Sequence, residues 1–293
     1  MDLNVQPEMR VSRKVWLALA LVALMSGLVW AGIWQYTPDG KLHVTVYDIG
    51  QGDAIFFSTP TGVRVLVDGG PDQEVLKKVG EELPFFDRRI DLVVLTHPHA
   101  DHIAGLIDIL RRYQVRHVLT TQAQAKSEYY REFIRALMDR RIDIIEAHAG
   151  QLITLDRWTK MRILAPVQIL PAAAVKDPNE ASIVFRVSLG IIDFLLMGDA
   201  PKDVENEIIA SGQAIDAEML KVGHHGSRGS TGQQFLEMVS PLYAAISSGA
   251  ANRYGHPHQE TLDLLERAHV KFFRTDQEGD IRFVTDGRTI SRD

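Results

Sequence analysis

Six consecutive residues, His97-Pro98-His99-Ala100-Asp101-His102, hold three imidazoles and a carboxylate. Neutral imidazole nitrogens and carboxylate oxygens are the donors that borderline divalent metals such as zinc and manganese accept. Pro98 favours an extended backbone before it, from which His97 and His99 can turn toward one ion. Asp101 and His102 then point elsewhere and serve a second. That division is the logic of a two-metal hydrolase, whose ions sit roughly 3.5–4 Å apart. The chain has no cysteine, which excludes disulfides and thiolate sites and leaves His, Asp and Asn as ligands.

Matching residues recur after later apolar runs. Asp199 follows Ile192 to Met197 and Gly198, and its two oxygens can bridge both ions; capping a helix that begins near Pro201 is the competing role. His224 and His225 follow a strand-like run over 217–222. We read His224 as the ligand that completes the second metal, and His225 as touching substrate or a supporting carboxylate, with Ser227 in the same turn. Asp68, between Val67 and two glycines, is placed to accept a hydrogen bond from a ligand imidazole or to order the metal loop; a plain turn aspartate is the alternative. A second His-Pro-His, His256 to His258, follows Asn252-Arg253-Tyr254-Gly255. It reads as a loop over the mouth of the site, with His256 or His258 contacting a leaving group or phosphate, and His256 and Asp101 are the catalytic candidates. Lys221, Arg228 and Arg253 are candidate phosphate contacts. His43, His117, His148 and His269 have no partners in sequence and read as structural or solvated.

The elements that must position these groups follow from periodicity. An apolar run over 92–95 reads as a buried parallel strand, and 102–112 as a helix, so the metal cluster falls at the carboxyl end of a strand, where open α/β sheets place their sites. Strands are expected at 42–47, 54–58, 63–67, 115–119 and 142–145, with helices at 73–82 and 126–140. From Gln151 the order changes to short strands at 152–155, 161–164, 182–189 and 191–197, then a helix at 202–211 and a strand at 217–222. Two strand-rich stretches around strand-helix alternation predict two sheets packed between helix layers. No internal repeat is visible.

Composition sets the frame. A chain of 293 residues, 45% hydrophobic, can bury one large domain or two small ones. A net charge of -6 is not the signature of a protein that holds duplex DNA by charge alone. Residues 15–34 form an uncharged apolar run long enough to cross a bilayer, which takes about 20 residues. Arg10, Arg13 and Lys14 precede it, and Trp16, Trp30 and Trp34 lie near its ends. The expected organisation is a cytoplasmic N-terminus (1–14), an uncleaved transmembrane anchor (15–34), a linker (35–41) and a hydrolase domain (42–293) outside the cytoplasm. A cleaved signal peptide is the rival.

The run Thr96 to His102, followed in order by Asp199 and His224 and preceded by Asp68, resembles the signature of the metallo-β-lactamase superfamily. That resemblance implies a four-layer αββα sandwich of mixed α+β and α/β character, with a dinuclear site of zinc or manganese at one edge of its sheets. Val46 to Ala54, Leu220 to Ser227 and Tyr254 to His258 resemble more narrowly the C-terminal domain of ComEC-type competence proteins, as does Thr275-Asp276-Gln277-Glu278-Gly279. Where superfamily members usually offer another histidine, this chain has Asn179-Glu180-Ala181-Ser182, so the resemblance implies a first metal one histidine short, near Asn179 and Ser182. It also implies a nuclease or phosphodiesterase acting on single-stranded DNA during uptake. The multi-helix channel of such proteins does not fit in one apolar span, so a separately encoded channel is the implied partner. Hydrolysis of another ester, a thioester or a lactam, and a non-catalytic tethered module, are the competing functions.

Overall fold

The computed structural model describes residues 12–35, 37–84, 86–168, 175 and 177–293. Arg10, most of the expected cytoplasmic segment, the Trp34 side chain and part of the loop after Pro166 lie outside the described residues. The chain divides into two units, Met1–Thr37 and Pro38–Asp293. The first holds one helix, α1 (Arg13–Gln35), with a mean hydropathy of 1.5 over Arg13–Trp30. At 1.5 Å per residue it is about 35 Å long, sufficient in length and composition to cross a bilayer.

In the second unit, β1 (Leu42–Val46), β2 (Ile55–Ser58) and β3 (Arg64–Val67) pair antiparallel. Pairing then turns parallel through β4 (Arg89–Val94), β5 (Gln114–Thr120) and β6 (Asp143–Glu146). The crossovers are α2 (Glu74–Glu82), α3 (Ala100–Arg112) and α4 (Glu128–Arg140). The second sheet repeats the plan. Antiparallel β7 (Leu152–Thr154), β8 (Thr159–Ala165), β9 (Val184–Leu189) and β10 (Ile192–Leu196) lead to parallel β11 (Met219–Lys221), β12 (Tyr243–Ile246) and β13 (Lys271–Arg274). Its crossovers are α5 (Lys202–Ala210), α6 (Gln233–Val239) and α7 (Gln259–Arg267). After the single turn α8 (Thr275–Glu278), β14 (Ile281–Thr285) and β15 (Ile290–Arg292) return to the first sheet beside β1. The duplication is one of topology and left no visible repeat in the sequence.

Packing makes four layers. Phe57 and Phe283 of the first sheet meet Phe185 and Phe194 of the second in an intersheet core, each such ring worth roughly 1.5–3 kcal/mol on full burial. α2, α3 and α4 cover the first sheet's outer face, and α5, α6 and α7 that of the second. α3 shows why: Ile103, Leu106, Ile107 and Leu110 are buried at helical spacing. Asp101 in its first turn and Arg111 and Arg112 in its last complement the helix dipole.

The carboxyl ends of β3, β4, β10, β11 and β12 fall at one edge. The opposite edge holds the sheets together. There Asp156, in the β7–β8 turn, accepts from Trp158 N and Thr159 N at 2.9 and 2.7 Å, and from Thr61 Oγ1 of the β2–β3 turn at 2.7 Å. Beside it, Ile191 N donates to Gly287 O at 2.9 Å. A side chain at Gly190 would put its Cβ 2.2 Å from that oxygen.

Burial works to raise the Asp156 carboxyl, but bonds from Thr59, Thr61 and the Trp158 and Thr159 amides hold it down to about 2. Its contribution is therefore complete above the unfolded value near 4 and lost as pH falls through 2. Asp156→Ala should lower stability by about 1–2 kcal/mol at pH 7. In denaturant titrations, the gap to wild type should close between about pH 4 and pH 2; a gap that persists at pH 2 would show that the carboxylate is not its source.

Candidate metal centre

Every turn at the shared edge delivers a donor. β3 ends in Asp68, which is held at φ 58 and fully buried. It accepts from Thr96 N at 2.8 Å, Thr96 Oγ1 at 2.6 Å and His102 Nδ1 at 2.8 Å. The hydrogen bond from an imidazole expected of Asp68 is present, with His102 as the donor. The Asp68 bond fixes a proton on His102 Nδ1 and turns Nε2 toward the centre. That Nε2 is buried without a hydrogen-bond partner, 3.4 Å from Asp199 Oδ2.

The same device recurs across the sandwich. His225 Nδ1 donates to Ser247 O at 3.0 Å and lies 3.4 Å from Asp53 Oδ1. Its Nε2, buried and unpartnered, faces Asp199 Oδ2 at 3.5 Å and Asp101 Oδ2 at 3.7 Å. On β4's loop, His97 Nδ1 donates to Thr96 Oγ1 at 3.1 Å, and His97 Nε2 lies 3.1 Å from His99 Nδ1 and 3.8 Å from Asp199 Oδ2. Donor atoms of His97, His102 and Asp199 all lie within 4.8 Å of one another, as do those of Asp101, His102 and His225.

The geometry differs from the sequence reading in several respects. The expected division of His97 and His99 from Asp101 and His102 is not clean, because His102 belongs to both groups. His99 faces His97 and not a carboxylate. The preference for His224 over His225 is overturned: His225 is 1% exposed and joins the tight groups, whereas His224 is 31% exposed, with Nε2 3.7 Å from Asp199. Both residues have positive φ, 47 and 55, and this tight turn swings His225 inward and His224 toward the mouth. Asp199 caps no helix; its amide donates to Ser182 Oγ at 3.3 Å, and its Oδ1 is buried without a partner. Asn179 is buried, its Oδ1 likewise unpartnered, and it lines the site cavity.

Ser227 Oγ accepts from Gly229 N at 3.2 Å, closing its own turn, and does not reach the donors. His258 Nδ1 accepts from Arg228 N at 3.2 Å at the start of α7. His256 sits at the mouth, 5.4 Å from the His224 ring. Burial, with His225, His224 and His258 nearby, pulls it down to about 4, so it is neutral at pH 7.

Lys221 is not a phosphate contact. It is fully buried, 2.8 Å from Asp53 Oδ2 and donating also to Val222 O at 3.1 Å. Asp53 is a buried site-edge residue that no sequence expectation singles out; its signals are its place after the Gly50-Gln51-Gly52 turn and within the Val46 to Ala54 segment. Gly52 lets that turn press on α3: a Cβ there would lie 2.1 Å from Asp101 O. Burial opposes ionisation of Asp53, but the Lys221 ammonium and His225 hold it below the usual carboxylate range.

The electrostatics fit a divalent cation. Burial disfavours charge on His102 and His225, yet Asp199 with Asp68 and Asp101 raises both well above an ordinary imidazole. Burial and the His102 charge push His97 well below. Asp101 is held at about 2, against burial, by His225 and His102. The buried, unpartnered His102 Nε2 and His225 Nε2 thus face Asp199 in a field that favours a cation.

The chain belongs to the metallo-beta-lactamase superfamily, whose pattern matches residues 47–249. It has the fold of that class, which implies divalent-metal binding, and a cluster of His and Asp residues that could hold the metal. It is similar to ComE operon protein 3 of Bacillus subtilis, 32% identical over 82% of this chain and 33% of that protein. It is also similar to competence protein ComA of Neisseria gonorrhoeae, 28% identical over 87% of this chain and 35% of that one. The chain therefore spans about a third of the length of these relatives. The metallo-beta-lactamase fold protein YhfI of Bacillus subtilis superposes with a TM-score of 0.56 at 12% identity, covering 84% of this chain and all of that one.

Breaking a buried ion pair costs about 3–5 kcal/mol, largely for the charge left behind. Lys221→Met should therefore destabilise the protein by roughly 3 kcal/mol, and adding Asp53→Asn should recover at least half of that. Chemical denaturation of the two single variants and the double variant measures it. Simple additivity would show that the two groups are not coupled.

Proposed function

We propose that the chain is a membrane-anchored, divalent-metal-dependent phosphodiesterase that cleaves single-stranded DNA outside the cytoplasm, in the context of DNA uptake. The observation that carries this is the convergence of unpartnered His102 Nε2 and His225 Nε2 on Asp199, with each Nδ1 tied to a buried acceptor. On this reading His97, His99 and Asp199 would hold one ion of zinc or manganese, with Asn179 Oδ1 where the relatives' superfamily offers histidine. Asp101, His102, His225 and Asp199 would hold a second, with His224 beside them. Such ions supply Lewis-acid polarisation of a phosphoryl oxygen and lower the pKa of water.

The chain's own residues do the rest. Asp68 and Ser247 O fix the two imidazoles whose direction matters most. His256, a neutral imidazole at the mouth, is placed to hydrogen-bond a phosphate or leaving-group oxygen. α1 anchors the enzyme through residues 15–34, N-terminus in the cytoplasm, and a membrane channel for DNA is the natural partner. Similarity to the competence proteins supports the uptake setting.

The full-length chain in detergent should cleave single-stranded DNA with Mn²⁺ or Zn²⁺ and not after chelation. Asp199→Ala should lower the rate about a thousandfold, equivalent to roughly 4 kcal/mol of transition-state stabilisation, and reduce bound metal measured by mass spectrometry. Undiminished cleavage by the His99→Ala, Asp101→Ala double variant would overturn the reading. A panel with a chromogenic lactam, a thioester and a phosphocholine ester tests the substrate class.

A further inference from the structure

We propose that Tyr254, with Arg253 beside it, is a stacking platform for an unpaired nucleobase at the mouth of the metal centre, a role that rests on the phosphodiesterase reading above. Tyr254 lines a cavity of about 330 Å³ together with Asp101, Asp199, His225 and His256. This is within the size range of small-ligand pockets. The ring is stacked on His256, centroids 5.7 Å apart and planes at 23°, and yet is 49% exposed. The ring meets an imidazole on one side and still offers about half its surface to solvent beside the metal donors.

The platform is built in advance. Asn252 Oδ1 accepts from Tyr254 N at 3.1 Å and His256 N at 2.9 Å, and its Nδ2 donates to Gly249 O at 2.8 Å and His256 O at 2.6 Å. These bonds fix the loop, so a ligand does not bear the cost of ordering it. The Arg253 guanidinium lies 5.0 Å from the Tyr254 centroid, and its Nη2 donates to the phenol oxygen at 2.9 Å. A half-exposed aromatic ring with a guanidinium against it, next to the proposed phosphoryl-binding site, matches one nucleotide: base on the ring, neighbouring phosphate at the guanidinium. In a duplex, both faces of a base are covered by its neighbours, so the platform accepts only an unpaired strand. Stacking tolerates any base, so sequence preference is not expected.

The test uses the full-length chain in detergent and two fluorescein-labelled strands of equal length, oligothymidylate and one with abasic tetrahydrofuran sites through its centre. Anisotropy in EDTA gives Kd, and Mn²⁺-supported cleavage gives KM. Wild type should favour the base-bearing strand about tenfold in both. Tyr254→Ala should reduce that ratio to below twofold, Tyr254→Trp should keep it, and Arg253→Ala should weaken both strands alike. Circular dichroism confirms that the variants are folded. An unchanged ratio in Tyr254→Ala, or none in wild type, overturns the platform. If wild type cleaves both strands equally, the phosphodiesterase reading stands and the platform falls; if it neither binds nor cleaves either, both fall.

Discussion

One buried carboxylate organises this molecule. Asp199 Oδ2 lies within 3.8 Å of ring nitrogens from His97, His102, His224 and His225, and Asp199 is 2% exposed. A carboxylate so far from water needs a cation or a full set of donors. The surrounding rings do not donate to its Oδ1. Asp68 and Ser247 O hold the Nδ1 atoms of His102 and His225 outward, so that their Nε2 atoms face the centre, placed to coordinate a cation or, without one, to carry a proton toward Asp199. A divalent cation satisfies the inward nitrogens and the inward carboxylate together.

That constraint accounts for the placement of the remaining charges. Asp53 and Asp68 lie behind the imidazoles, where each would be a costly buried anion on its own. Asp68 is satisfied by three donors. Asp53 has the Lys221 ammonium, a charge that reaches it from the centre of the second sheet. The glycines at Gly52 and Gly105 serve the same end by allowing backbones to touch: a Cβ at Gly105 would lie 2.0 Å from Gly69 O. They bring the β1, β3 and α3 ends to the distances that the side chains require. The duplicated topology supplies the rest, since parallel strands in both sheets end at one edge and each half contributes ligands to a centre that neither completes alone.

How far the sequence was legible follows from how local each feature is. The 97–102 cluster could be read because six adjacent residues carry its chemistry, and Asp199 because a strand end announces it. The strands and helices of the sandwich followed from periodicity. The Lys221–Asp53 pair spans 168 positions, and nothing near Lys221 in sequence separates a buried ammonium from a solvated one. The choice between His224 and His225 depends on backbone dihedrals in a two-residue turn, which residue type does not encode. Asn179 entered through resemblance alone; its significance is physical only once its oxygen is seen buried, unpartnered and facing the cavity.

A net charge of -6 bears on how such a site could hold nucleic acid at all. Proteins that bind by neutralising many phosphates carry a basic surface, and their affinity derives from released counterions. This chain repels a polyanion at long range, so its attraction must come from short-range contacts. On the proposed function, the ions that the His and Asp donors would hold provide one, at the reacting phosphate. Around them the mouth offers His256, neutral at pH 7, and the Arg253–Tyr254 pair. With so little fixed positive charge, stacking is the contact left to distinguish a nucleic-acid strand from any other anion, and it acts only where a base is free of its partner. Preference for single strands would then be a consequence of the charge balance of the whole chain as much as of the shape of one loop.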